Sequence, residues 1–229
     1  MQGHANIADD ADAPRLRDQL LIAVQRLAAG GIDSPRLDAE VLLAHCLKTS
    51  REQLVVAGDL GIAPAVARCF DSLLARRLQR EPVAYLTAKQ EFWSLDFTVT
   101  PDVLIPRPDT ERLVEVALLW AAEFAAARTM TIADLCTGSG ALAVSLATEF
   151  PSAQICATDI SPAVLQIARG NAEAHQVAER VRFFAGDLFD ALAPLPAAHF
   201  ELIVSNPPYV RRGESARLAP EVSRWERRL

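Results

Sequence analysis

The residues best suited to chemistry form the run Asn206-Pro207-Pro208-Tyr209, directly after the largely apolar stretch 200–205. A continuous apolar run is typical of a parallel strand buried on both faces, and prolines end such a strand because they lack backbone N–H donors. The Asn206 side-chain oxygen and the Pro207 carbonyl can accept hydrogen bonds from a planar –NH2 group, and the Tyr209 ring can lie against it. This corner suits holding an amide or aromatic amine while an electrophile reaches its nitrogen.

Strands and helices alternate through the second half of the chain and must position this corner. The predicted strands are 131–135, 154–159, 181–185 and 200–205, and the predicted helices are 141–150 and 162–178. Such alternation predicts a parallel, doubly wound sheet with right-handed crossovers. Ligands of these sheets bind at the carboxyl ends of the strands.

A glycine-containing loop follows the first of these strands, where small residues let a ligand approach the backbone and the next helix presents free N–H groups. Asp159 ends the following strand and is placed to bind ribose hydroxyls, and Asp187 follows the third strand and could accept from an adenine amino group. The candidate residues of the loop are Asp134, Cys136, Thr137, Gly138, Ser139 and Gly140.

Two cofactors are compatible with this loop. Residues 138–143 satisfy a relaxed dinucleotide fingerprint, so an NAD-dependent enzyme is the rival hypothesis. Asp134, however, stands at the entrance of the loop, where a carboxylate repels a pyrophosphate and attracts a cation. S-adenosylmethionine carries an ammonium and a sulfonium and has no phosphate. The acidic entrance and the Asn206 corner together favour a methyltransferase.

Each acidic residue also has a purely structural interpretation. Asp134 could cap a turn, Asp159 could cap the helix that opens at Pro162, and Asp187 could lie on the surface. Taken singly, these interpretations are as good as the functional ones. Three acidic residues at three successive strand ends, together with the proline corner, favour a site.

The first half of the chain predicts a small helical bundle over 14–80 and then a β-hairpin over 91–100. The proline-containing segment 104–111 follows. It is either a rigid connector or a wall of the site in which Arg107 meets an acidic or carbonyl group. Spacing alone favours the connector.

Composition limits the classes of protein. The chain has 229 residues, 51% of them hydrophobic, and a formal net charge of −6, which argues mildly against broad nucleic-acid binding. Its four cysteines have no C-x-x-C spacing, so neither a zinc site nor a disulfide framework is expected, and we expect no metal. The polar, acidic first residues are unlike a signal peptide, and no apolar run could span a bilayer. We expect a cytoplasmic protein.

Several motifs resemble the HemK/PrmC family, the protein-(glutamine-N5) methyltransferases that act on peptide chain release factors. The similarity covers almost the whole chain. Asn206-Pro207-Pro208-Tyr209 alone is shared with nucleic-acid amino methyltransferases, whereas the segment 104–111 is more specific. The motifs that carry the resemblance are Pro82-Val83-Ala84-Tyr85, Glu91-Phe92-Trp93, Leu104-Ile105-Pro106-Arg107-Pro108-Asp109-Thr110-Glu111, the glycine loop and the proline corner.

The resemblance implies a class I, Rossmann-like methyltransferase sheet after an N-terminal helical bundle. It implies that Cys136–Gly140 and Asp159 bind S-adenosylmethionine, with Leu188 against the adenine. Residues 206–209 would hold the glutamine of the release factor's Gly-Gly-Gln loop, and we expect Asn206 to reach the cofactor too. The implied domains are a release-factor-recognition domain at 1–80, a hairpin and linker at 81–110, and a methyltransferase domain at 111–229.

This sequence departs from the family pattern at three places. Cys136 and Thr87 stand where the family usually has glycine, and the chain ends at Leu229, whereas family members continue for several strands. We therefore expect a C-terminally truncated, incomplete sheet whose fourth strand is an exposed edge. The alternatives left open are an adenine-N6 or guanine-N2 nucleic-acid methyltransferase and a chain that binds without turnover. A monomer without nucleic-acid or membrane partners is expected.

Overall fold

The computed structural model describes residues 7–8, 14–56, 58–124, 130–193, 195, 199–209 and 218–226. The chain divides into two compact units, Met1–Thr87 and Ala88–Leu229. Within the described ranges, no helix combines the length and the apolar character needed to cross a membrane.

The first unit is helical, as predicted. Strands β1 and β2 form a short antiparallel pair, which the sequence pattern did not reveal. The elements are β1 Ile7–Ala8, α1 Leu16–Ala29, α2 Pro35–Leu47, α3 Arg51–Val56, β2 Gly61–Ile62, α4 Pro64–Leu78 and α5 Val83–Thr87.

The core of the first unit comes from the apolar stripes of its longer helices. Leu27, Leu42 and Phe70 are at most 1% exposed, because α1, α2 and α4 each turn one apolar face inward. A buried ion pair joins α4 to α2, with Arg77 Nε 2.7 Å from Asp38 Oδ2. Each buried charge is thus compensated by the other.

A β-hairpin opens the second unit. Strand β3 spans Lys89–Phe92 and β4 spans Leu95–Thr98, and their two-residue turn places Trp93 and Ser94 at φ 53° and 58°. Such turns usually contain glycine. Here the Trp93 backbone N–H donates to Glu111 Oε1 at 2.9 Å, which helps to hold the turn.

The rest of the second unit is built on a four-stranded parallel sheet in the order β7-β6-β5-β8. Among the described residues β8 is an edge strand, as expected from the sequence. The elements are α6 Glu111–Phe124, β5 Thr131–Leu135, α7 Ala141–Glu149, β6 Gln154–Asp159, α8 Pro162–Ala174, β7 Val181–Ala185, β8 Leu202–Ser205 and α9 Pro220–Trp225.

Different elements pack against the two faces of this sheet. Ile132 and Ile155 belong to the main core, which also takes in buried residues of α6, α7 and α8. Ala133 and Cys156 belong to a second cluster with Leu192, from the 3-10 turn Leu188–Leu192. Because side chains alternate along a strand, the two clusters lie on opposite faces of the sheet.

The sequence-based bounds differ from the observed ones at four elements, by one residue at the end of α7 and by more at the others. Helix α8 ends at Ala174 rather than 178, β8 begins at Leu202 rather than 200, and the hairpin ends at Thr98 rather than 100. Residues 178–180 instead form a separate 3-10 turn. A helix or strand ends where its backbone hydrogen bonds end, and the pattern of apolar residues does not show that point.

Candidate active site

The glycine turn, residues 136–140, leaves the end of β5 through left-handed backbone conformations. The φ angles are 62° at Cys136, 57° at Gly138 and 82° at Gly140. A β-carbon at Gly140 would lie 3.1 Å from the Ala168 β-carbon, whereas one at Gly138 would meet no atom within 4 Å. Glycine at 140 thus permits close packing on α8, and the backbone at 138 faces open space. Cys136 adopts a conformation that side chains disfavour.

Hydrogen bonds from neighbouring elements fix this turn. The Thr137 backbone N–H donates to the Thr158 carbonyl on β6 at 2.8 Å. The Gly138 N–H donates to Asp159 Oδ2 at 3.1 Å, and the buried Asn171 Nδ2 on α8 donates to the Ser139 carbonyl at 2.8 Å. The turn is therefore preorganised by β6 and α8.

Asp134 lies beneath the turn and is fully buried. Its Oδ2 accepts a 2.6 Å hydrogen bond from the Thr137 hydroxyl, and Oδ1 has no hydrogen-bond partner within the described ranges. Burial raises the pKa of this carboxyl from 3.8 to about 7, although the Thr137 hydroxyl and the nearby Ala143 backbone N–H lower it. Near neutral pH this carboxyl is only partly ionised.

Asp159, at the end of β6, links the turn to helix α8. Besides accepting from Gly138, it accepts from the Ser161 N–H through Oδ1 at 3.0 Å. The cap of α8 is Ser161, whose hydroxyl accepts from the Val164 N–H at 3.4 Å. Asp159 therefore does not cap the helix itself, and its carboxylate borders the pocket described below.

The proline corner lies beside the glycine turn because β8 pairs with β5, with Ser205 opposite Leu135. The Ser205 hydroxyl donates to the Leu135 carbonyl at 2.8 Å. Asn206 Nδ2 donates to the Thr110 hydroxyl at 3.2 Å, and Tyr209 is 77% exposed.

A pocket of about 750 Å³ joins the turn to the corner. Its apolar lining includes Phe92, Leu142 and Val164, and its charged lining includes Asp159. The sequence-predicted residues that line it are Arg107, Cys136, Thr137, Gly138, Ser139, Asp159, Asn206, Pro207, Pro208 and Tyr209.

Four predicted site residues do not line this pocket. Asp134 is buried under the turn, and Gly140 packs against α8. Asp187 and Leu188 follow β7, which is separated from β5 by β6, and both are exposed. The pocket is centred on the ends of β5 and β8, so residues after β7 lie to one side of it.

Arg107 is already paired. Its guanidinium lies 2.5 Å from Glu226 Oε1, and both residues line the pocket. Burial raises the pKa of the Glu226 carboxyl, while Arg107 lowers it. The segment around Arg107 is thus a wall of the pocket rather than only the connector that spacing favoured.

Sequence reasoning missed two polar residues that organise the site. Asn171, 1% exposed, bonds both backbone groups of Thr98 and the Ser139 carbonyl. It falls on the apolar stripe of α8, between Ala168 and Ala172, and a polar residue at such a position is a usable signal. Thr110, which contacts Asn206, follows no such pattern.

Comparison with known proteins identifies the two parts of the chain separately. Residues 19–87 match the family model described as the PrmC N-terminal domain. Residues 114–222 match the model described as the methyltransferase small domain. Both matches agree with the resemblance seen in the motifs.

Curated relatives of this chain are named release factor glutamine methyltransferase. The protein of Moorella thermoacetica is 48% identical, covering 85% of this chain and 67% of the relative. That of Bordetella pertussis is 48% identical, covering 85% and 69%, and that of Cereibacter sphaeroides is 43% identical, covering 94% and 73%. Among solved structures, an S-adenosylmethionine-dependent methyltransferase of Agrobacterium tumefaciens aligns with TM-score 0.42 and 16% identity, over 52% of this chain and 39% of that one.

The relative of Moorella thermoacetica is 48% identical, and this chain covers 67% of its length. The chain belongs to the release factor glutamine methyltransferase family.

Proposed function

We propose that this protein transfers a methyl group from S-adenosylmethionine to the side-chain amide nitrogen of the glutamine in the Gly-Gly-Gln loop of peptide chain release factors. The observation that carries the proposal is the shared pocket, which is lined by the glycine turn on one side and residues 206–209 on the other. The first group suits a nucleoside cofactor and the second a primary amide. Family membership supports the same reaction.

The residues of the turn fit the cofactor. The open space above Gly138 lets a ligand approach the backbone closely. The Asp159 carboxylate retains acceptor positions for ribose hydroxyls besides the two used by the Gly138 and Ser161 amides. Leu142 and Val164 offer apolar contact. When bound, S-adenosylmethionine supplies an electrophilic methyl on a sulfonium.

The proline corner would orient the nucleophile. An amide nitrogen is a poor nucleophile because its lone pair is delocalised into the carbonyl. Asn206 Oδ1 and the Pro207 carbonyl can accept the two amide hydrogens, while the Tyr209 ring packs on the amide plane. Orientation of this kind can lower a barrier by roughly 7–11 kcal/mol. The surplus proton of the methylated amide passes to water, since an N-protonated amide is a strong acid.

The helical unit would contribute to recognition of the release factor. This role rests on the match of residues 19–87 to the PrmC N-terminal domain. The finer domain division at 1–80, 81–110 and 111–229, the monomeric state and the cytoplasmic location stay predictions.

Mass spectrometry of a release factor tests the proposal. After incubation with S-adenosylmethionine, the Gly-Gly-Gln peptide should gain one methyl, and fragmentation should place it on the glutamine side chain. No added methyl, or a methyl elsewhere, contradicts the proposal. Filter binding and methyl transfer with DNA and RNA test the nucleic-acid alternative in parallel.

The Asn206→Ala variant tests the division of labour. We expect it to lose turnover because the amide acceptor is gone, while the affinity for S-adenosylhomocysteine, measured by calorimetry, stays largely intact because the glycine turn and Asp159 remain. If the variant loses cofactor binding and turnover equally, the idea that different residues hold the cofactor and the substrate is contradicted. If the wild-type chain binds S-adenosylhomocysteine but does not methylate the peptide, the chain binds the cofactor without catalysis.

A further inference from the structure

The segment 107–111 makes three side-chain contacts that connect separate parts of the second unit. Arg107 pairs with Glu226 beyond α9, and Glu111 accepts from the Trp93 backbone in the hairpin turn. Between them, Thr110 accepts from Asn206 in the proline corner. The segment therefore connects the walls of the pocket. One of its contacts is to the side chain that we expect to hold the substrate.

The contact at Thr110 is well defined. Its hydroxyl lies 3.2 Å from Asn206 Nδ2, and both residues line the pocket. Thr110 is the last residue of the 3-10 turn Pro108–Thr110, and its N–H donates to the Arg107 carbonyl at 2.9 Å. The hydroxyl is thus carried on a short, hydrogen-bonded turn that restricts its position.

The other end of the Asn206 amide is available. Within the described ranges, Asn206 Oδ1 makes no hydrogen bond to the protein, and the residue is partly exposed. With Nδ2 engaged by Thr110, the group left for a ligand is an oxygen acceptor. A glutamine –NH2 group offers only donors, so it requires an acceptor at this place.

We propose that Thr110 is a positioning residue for methyl transfer, which holds the Asn206 side chain through Nδ2 in the position where its oxygen is left for the substrate amide. This inference rests on the proposed function. The terminal torsion of asparagine is broad and roughly two-fold, so the side chain does not fix its own oxygen and nitrogen. Without the hydroxyl, the Asn206 side chain loses this contact and can adopt conformers that present Nδ2 to the substrate. The Asn206 amide and the substrate amide would then face each other with N–H donors.

The expected effect is on turnover. Misplacement of a reacting group by about 1 Å can cost on the order of a hundredfold in rate. We therefore expect removal of the Thr110 hydroxyl to lower kcat by about tenfold to a hundredfold. Cofactor affinity should be unchanged, because Thr110 makes no hydrogen bond to residues 136–140 of the glycine turn.

Thr110→Val and Thr110→Ser provide the test. Valine keeps the shape and removes the hydroxyl, whereas serine keeps the hydroxyl. Methylation kinetics on the release factor should show the loss of kcat in Thr110→Val and recovery of most of it in Thr110→Ser. Calorimetry with S-adenosylhomocysteine should give a Kd within about twofold of wild type for both, which also reports that the pocket is folded.

Three results would overturn the inference: wild-type kcat in Thr110→Val, a parallel loss of cofactor affinity and turnover in that variant, or no recovery in Thr110→Ser. Failure of the proposed function looks different, because the wild-type chain itself would then leave the Gly-Gly-Gln glutamine unmethylated.

Discussion

Asp134 gives the chain an unusual dependence of stability on pH. Its pKa is raised from 3.8 to about 7, chiefly by burial. Between these values the folded chain holds a proton that the unfolded chain has released, so the free energy of unfolding must fall as pH rises. At 1.36 kcal/mol per pKa unit, the contribution of this group declines by about 3 kcal/mol between roughly pH 4.5 and pH 8.

Asp134→Asn removes this titration and keeps the shape of the side chain. We expect the wild type to lose about 3 kcal/mol relative to the variant across this pH range. Urea unfolding followed by tryptophan fluorescence measures it, because all three tryptophans, at 93, 120 and 225, belong to the unit that contains Asp134. Other titrating groups are common to both proteins, so their contribution cancels in the difference between the two free energies of unfolding.

Asp187→Asn is the matched control, since Asp187 is exposed and follows the neighbouring strand β7. Because the Asp187 side chain lies in solvent, this variant shows the effect of an Asp-to-Asn change without burial. If the difference between wild type and Asp134→Asn is flat with pH to within about 0.5 kcal/mol, burial does not perturb the Asp134 carboxyl as the structure requires, and the reasoning is refuted.

Three further contacts can be tested directly. Gly140→Ala should lower the free energy of unfolding by about 2 kcal/mol in urea titrations, because φ is 82° and the new β-carbon would lie 3.1 Å from that of Ala168; an unchanged midpoint would contradict this. Asn171→Ala should cost about 2–4 kcal/mol and weaken S-adenosylhomocysteine binding in calorimetry, because it leaves buried backbone groups unbonded; full retention of affinity would count against its role in the turn. The Cys46 and Cys69 sulfurs lie 2.9 Å apart, so the oxidant diamide should join them in a disulfide, seen as a loss of two hydrogens in the intact mass; Cys46→Ser is the control, and two free thiols after treatment would refute the expectation.

Local patterns predicted most of the secondary structure. The apolar runs that become β5 and β6 have the predicted bounds, and the predicted bundle over 14–80 contains α1, α2 and α4. These features are local, since a strand or an amphipathic helix reveals itself through the spacing of its own apolar residues. The proline corner was predicted for the same reason.

Contacts between distant segments were harder to predict. Thr110 and Asn206 are 96 residues apart, and Asn171 bonds groups 73 and 32 residues away. Arg107 was interpreted mainly as part of a connector, although it pairs with Glu226 across 119 residues. Such pairings depend on the path of the whole chain through the sheet and leave little trace in any single stretch.

The sequence by itself determined the family, the parallel sheet and the residues of the glycine turn and proline corner, because these rest on residue type and spacing. Only the tertiary structure decided that β8 lies next to β5, which brings Asn206 to the same pocket as Gly138. It also decided that Asp134 is buried beneath the turn while Asp159 borders the pocket. Strand order and burial are properties of the packed chain, and they assign different environments to carboxylates that look equivalent in sequence.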